Sequence, residues 1–88
     1  MRIFKYTLAV EHSQVVNLPK DAQILCVQAQ HGLPQLWALV DDCCELVERK
    51  FITLTTGGLV GTAEVGRYVG TYQLDNGAFV GHVFEAAT

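Results

Sequence analysis

Residues 53–62 read TLTTGGLVGT, and no other stretch of the chain is as well suited to holding a small anion. Thr55 and Thr56 set hydroxyls beside the backbone N–H groups of Gly57 and Gly58, which have no side chain to obstruct an approaching phosphate. A chain that only turns uses the same residues, because glycine takes positive φ without steric cost. The run lacks the Lys-Ser/Thr ending of a triphosphate-binding loop and no helical pattern follows it, so nucleoside triphosphate hydrolysis fails on both sequence and context. Arg67, a few residues on, could supply a positive charge; its plain alternative is a solvated arginine at a strand end.

His82 shares a strand face with Val80 and Phe84, where an imidazole is either a satisfied structural group or a contact to a base or phosphate. Trp37, Tyr6, Tyr68 and Tyr72 offer ring faces on which a nucleobase can stack, though a small β core uses such residues anyway. His12, His31 and His82 do not stand at the spacing of paired metal ligands, so no metal is expected. The vicinal Cys43 and Cys44 lie beside Asp41, Asp42 and Glu45, whose negative charge disfavours thiolate and argues against an activated nucleophile. No acid, base and nucleophile come together, so the chain is expected to be a non-enzymatic protein without a cofactor.

These groups must be positioned by strands, because alternation of Val, Ile, Phe, Tyr, Thr and Leu dominates the sequence. A first strand is expected from about Arg2 to Val10, with Phe4, Tyr6 and Leu8 on one face, before VVNLPKDA turns around Pro19. QILCVQAQ and QLWALV then form a central hairpin around His31 to Pro34. CCELVERKF could also make about two helical turns, but the β-branched ending FITLT favours a strand over Val47 to Leu54. That strand leads into the glycine-rich run and Thr62 to Gly66, a loop of roughly a dozen residues, a length that tends to serve a purpose. RYVGTYQL and AFVGHVFE flank Asp75-Asn76-Gly77, which reads as a two-residue type I′ hairpin. Gly70 and Gly81 inside these strands signal a bulge, a bend or a close backbone approach. The expectation is one all-β domain over residues 1–88, with about six strands in a strongly bent antiparallel sheet or small open barrel.

An 88-residue chain buries only about 60% of its unfolded surface. With half its residues apolar and a positive mean hydropathy, it invites further cover from a second copy. A homo-oligomer is therefore expected. The net charge of −3 and six scattered Lys and Arg residues argue against duplex nucleic acid and against an anionic membrane surface as partners. The N-terminus does not read as a signal peptide, and three cysteines, an odd number, suit a reducing cytoplasm.

The opening RIFKYTL, the block PKDAQILCVQAQHGLPQLWALVD and the closing YVGTYQLDNGAFVGHVFE together resemble a family of small uncharacterised proteins of bacteriophages and prophages, over nearly the whole chain. Relatives of that pattern carry a Gly-His pair where this chain has Gly57-Gly58, so a role resting on a loop histidine does not transfer. Small acidic β proteins of phages that lack catalytic groups look like counter-defence proteins, one class of which sequesters the cyclic nucleotides or cyclic ADP-ribose derivatives that bacteria use as infection signals. The resemblance implies such a sponge in the host bacterial cytoplasm. A small anionic nucleotide-like ligand would be held by Thr55, Thr56, Gly57, Gly58, Arg67, His82 and Trp37 at a seam between subunits. The alternatives are a protein-binding inhibitor of a host defence or transcription protein, or a virion assembly accessory.

Overall fold

Alternation of side chains sets the chain into strands throughout, and the computed structural model describes residues 1–59, 61 and 64–87. In chain order the strands are β1 (Arg2–Thr7), β2 (Ser13–Pro19), β3 (Gln23–Gln30), β4 (Leu33–Val40), β5 (Leu46–Thr55), β6 (Val65–Leu74) and β7 (Phe79–Ala86). They form two open antiparallel sheets, one in the order β1-β4-β3 and the other in the order β2-β5-β7-β6. The all-β reading holds, with seven strands and neither sheet closed into a barrel.

The additional strand is β2, where a turn was expected. Pro19 ends it instead of breaking it, because at a sheet edge a residue without an N–H costs no ladder bond. Val16 and Leu18 turn inward while Val15 and Asn17 face solvent, the alternation of a half-buried strand. The β3–β4 hairpin forms as expected, but only β4 is central, with β3 at the edge. Its turn is His31-Gly32 alone, with φ of 54° and 76°, the pair of positive values a two-residue hairpin requires. The connection at Asp75-Asn76-Gly77 is longer than expected. Leu74 pairs with Phe79, so four residues lie outside the ladder, closed by Ala78 N–H donating to Asp75 O. Asp75, Asn76 and Gly77 all have positive φ. Of the long loop, Val60, Thr62 and Ala63 lie outside the described residues.

Leu8 just past β1 and Ile24, Val27, Leu36, Ala38 and Val40 from the first sheet meet Leu18, Phe51, Tyr72 and Val83 from the second in a single apolar cluster. The two glycines flagged inside strands mark close approaches. A Cβ at Gly70 would come within 2.9 Å of Val27 Cγ1, where edge strands β3 and β6 pack together. At Gly81 a Cβ would lie 2.7 Å from the Tyr72 ring, so the aromatic side chain occupies the space a larger residue would need.

Arg49 points from β5 toward the interior, where its Nε and Nη2 donate to the Glu85 carboxylate at 2.6 and 2.7 Å and its Nη1 donates to Ala22 O at 2.5 Å. The guanidinium thus joins β5 and β7 of one sheet to the segment entering β3 of the other. Its hydrogen bonds to Glu85 hold its pKa above the usual arginine value, against the opposing effect of burial.

The Tyr72 ring fills the space beside Gly81. Gly81→Ala should destabilise the fold by about 1–3 kcal/mol through overpacking against the ring, read as a lower urea midpoint with an unchanged slope. The Tyr72 hydroxyl is buried without a partner of good hydrogen-bond geometry, and burial pushes its pKa above 10.0, with the Thr53 side chain offsetting part of the shift. Burial also raises Tyr6. The folded state therefore retains protons that the unfolded chain releases. Stability should be full below about pH 10 and fall as pH climbs past it. Tyr72→Phe should cost less than about 1 kcal/mol at neutral pH, because no good hydrogen bond is lost, and should blunt the alkaline decline in melting temperature.

Candidate functional site

The outer face of the second sheet carries two cross-strand rows. Leu54 on β5 stands opposite His82 on β7, which stands opposite Thr71 on β6. Beside them Ile52, Phe84 and Tyr68 make a second row. The Tyr68 and Phe84 rings meet edge to face, centroids 5.3 Å apart at 61°, so each aromatic fixes the other.

Where β5 ends, Thr55 to Gly58 folds back as a β-turn, closed by Gly58 N–H donating to Thr55 O at 3.1 Å. Gly57, at the third position with φ of 82°, meets the type II requirement that glycine satisfies without strain. One of the two glycine amides expected to face an anion is therefore spent on the turn itself. Between the turn and the sheet lies an open hollow of ≈ 320 Å³, floored by Leu54, Tyr68, His82 and Phe84 and rimmed by Thr55, Thr56, Gly57 and Gly58.

Polar side chains across this hollow are linked in a single chain. Tyr68 Oη lies 2.6 Å from Thr71 Oγ1, Thr71 Oγ1 lies 2.9 Å from His82 Nδ1, and His82 Nε2 lies 2.6 Å from Thr56 Oγ1. Both imidazole nitrogens thus have hydroxyl partners, which fixes the ring plane. No lysine, arginine, aspartate or glutamate lines the hollow among the described residues.

Five of the seven residues expected to hold a ligand, Thr55, Thr56, Gly57, Gly58 and His82, therefore share one hollow, and Tyr68, named for its ring alone, joins them. Trp37 and Arg67 do not line it. Trp37 sits on β4 in the first sheet, opposite Lys5 and Cys26. Arg67 is exposed in the irregular part of β6 between Val65 and Tyr68. Tyr68 enters as an unanticipated part of the polar chain, and Thr71, Leu54 and Phe84 as unanticipated members of the site. Tyr68 and Thr71 are three residues apart, which in a regular strand puts them on opposite faces. A register shift between Tyr68 and Gly70 brings them onto the same one, and the glycine inside that strand was the only signal of it.

On the other side of the turn a second hollow, ≈ 240 Å³, opens toward Val10, His12, Thr53 and Phe79. His12 Nε2 lies 3.1 Å from Glu64 Oε1 and ties the β1–β2 connection to the far end of the glycine-rich loop. Among the described residues, potential metal ligands converge only at Asp41, Asp42 and Cys43, within 4.8 Å of one another. All three are exposed, Asp42 pairs with Arg2 at 2.8 Å, and Asp41 accepts the Cys43 N–H at 3.1 Å. Partial burial, then Asp41 and Asp21, raise the neighbouring Cys44 thiol above its usual value.

Among known families, one described as a domain of unknown function (DUF7352) matches residues 1–88. No curated protein and no solved structure matches the chain.

The Cys44 environment sets an expectation for its reactivity. Alkylation of Cys44 by iodoacetamide at neutral pH should be slower than that of a free thiol, with its half-maximal rate displaced to higher pH. Peptide mapping after timed labelling measures this, and a rate equal to that of free cysteine would contradict it.

Proposed function

The chain belongs to the DUF7352 family throughout residues 1–88, and since that membership assigns no activity, we propose from the site itself that it is a non-enzymatic protein that holds a nucleotide-like small molecule. The observation that carries the reading is the hollow beside His82, where an aromatic and aliphatic floor meets a row of fixed hydroxyl and imidazole groups. Apolar walls with a few oriented polar groups are the usual composition of a small-molecule site. The Tyr68 and Phe84 rings suit a planar heterocycle, and the rim hydroxyls of Thr55 and Thr56 suit its polar edge or an attached phosphate. The ligand class is a cyclic nucleotide or cyclic ADP-ribose-type signal, and the setting is the cytoplasm of a bacterium whose anti-phage defence such binding would silence. Storage without turnover is part of the same proposal.

A second reading is favoured by β1. It is an edge strand whose Ile3 is 62% and Phe4 38% exposed, a surface on which a host protein, or a second copy of this chain, can add a strand. Homo-oligomer formation through this edge is part of the proposal, and light scattering that returns a monomer mass would remove it.

Thermal shift against cyclic dinucleotides and cyclic ADP-ribose isomers tests the main reading. A true ligand at one hundred times its Kd stabilises the fold by about 2.7 kcal/mol, a rise of several degrees, and is recovered intact on heating. Phe84→Ala should weaken binding by about tenfold or more through loss of stacking area. A flat response across the panel, with a host protein recovered on the purified chain, would overturn the nucleotide reading in favour of the second.

A further inference from the structure

Both ends of the hydrogen-bonded chain, Thr56 and Tyr68, line the same hollow, with His82 between them. Counting protons gives the chain a property that none of its members has alone. Three hydroxyls and one N–H of a neutral imidazole supply four protons, and the chain contains three hydrogen bonds. One proton is left to face outward. In one sense Tyr68 donates to Thr71, Thr71 to His82 Nδ1 and His82 Nε2–H to Thr56, so the free donor is the Thr56 hydroxyl. In the other sense Thr56 donates to His82 Nε2 and Nδ1–H donates to Thr71, so the free donor is Tyr68, or Thr71 itself when Tyr68 donates to it. A neutral His82 cannot present donors at both ends, whereas a protonated His82 donates both ways and frees both terminal hydroxyls.

We propose that this chain sorts ligands by their hydrogen-bonding complement, with His82 as the specificity-determining residue. With His82 neutral, the hollow matches a heterocycle that offers one donor and one acceptor, as the lactam or imide edge of a nucleobase does. A ligand that offers acceptors to both ends, such as an oxyanion, binds as His82 takes up a proton. The inference rests on the binding site proposed above. The groups facing His82 are Thr56 from the turn, Thr71 from β6 and Leu54 from β5, and among the described residues Tyr68 is the only other titratable group lining the hollow. No fixed charge among the lining residues competes with the ligand for that proton.

The chain can be tested without a ligand by ¹⁵N NMR of the His82 ring in the full-length protein. Tyr68→Phe removes the protein oxygen that lets Thr71 donate away from His82, which biases Thr71 to donate to Nδ1 and the imidazole proton toward Nε2. The Nδ1 signal should move toward the unprotonated range. The substitution keeps the edge-to-face contact with Phe84 at a site that is 53% exposed, so folding is preserved. An unchanged His82 spectrum would overturn the proposal. Uridine and sulfate then serve as mixed and all-acceptor probes, added to the wild-type chain across the His82 titration. Uridine affinity should be constant above the titration midpoint and weaken below it, where a second outward donor opposes the uridine N3–H, while sulfate affinity should fall about tenfold per pH unit above the midpoint. His82→Gln should abolish that slope. A flat sulfate profile in the wild type would overturn the sorting mechanism. Failure of both probes to bind, with the Tyr68→Phe shift present, would defeat the binding reading and the ligand half of this inference while leaving the shared proton in place.

Discussion

The bidentate contact of Arg49 with Glu85 is the interaction on which the arrangement of the two sheets depends. An arginine on the inner face of a strand, next to Phe51, is expensive unless its charge and its donors are all engaged. Here two donors go to a carboxylate on the adjacent strand and a third to the Ala22 carbonyl, which belongs to the turn that leads into the other sheet. The pair is partly shielded, with side chains 22% and 23% exposed, so its geometry is more informative than its charge. It fixes the spacing of β5 and β7 at the point where the apolar cluster gives way to solvent.

That spacing is what places the candidate site. Once β5 and β7 are aligned by Phe51 opposite Glu85, Leu54 must stand opposite His82, and the register of β6 brings Thr71 to the other flank of the same ring. The inner face of this register makes the core, with Gly81 yielding its volume to Tyr72. The outer face of the same strands makes the hollow. Core and site are thus two sides of one sheet, and the turn at Thr55 to Gly58 needs only to fold over the end of β5 to complete the rim.

The alternating residues made the fold class legible, together with both hairpins and the strand from Val47 to Leu54. What misled was punctuation. Pro19 and Asn17 looked like a turn because their effect depends on whether a strand is at an edge, which is a property of the tertiary fold. Asn76-Gly77 and His31-Gly32 have similar conformational freedom, and the surrounding strand register decided which connection would be tight. Of the site, the threonines, the glycines and His82 could be singled out by type. Tyr68 stood out as a ring, but its place beside Thr71 did not, because a bulge shifts the parity on which face assignments rest. Arg67 and Trp37 had suitable chemistry, but proximity in sequence or aromatic character does not place a side chain on a particular sheet.

The order in which the strands are wound has a kinetic consequence. Only β3–β4 and β6–β7 join neighbours in the chain, while β1–β4, β2–β5 and β5–β7 close longer spans, and the polypeptide passes between the sheets at β1–β2, β2–β3 and β4–β5. Loop-closure entropy must be met before those distant pairings stabilise anything. Such a topology belongs with the slow folders, on a scale of milliseconds to seconds, with the two hairpins as the natural early structures. During that interval β5, which needs a partner on each side, is the segment with the most unpaired backbone, so nascent chains are most prone to coalesce there.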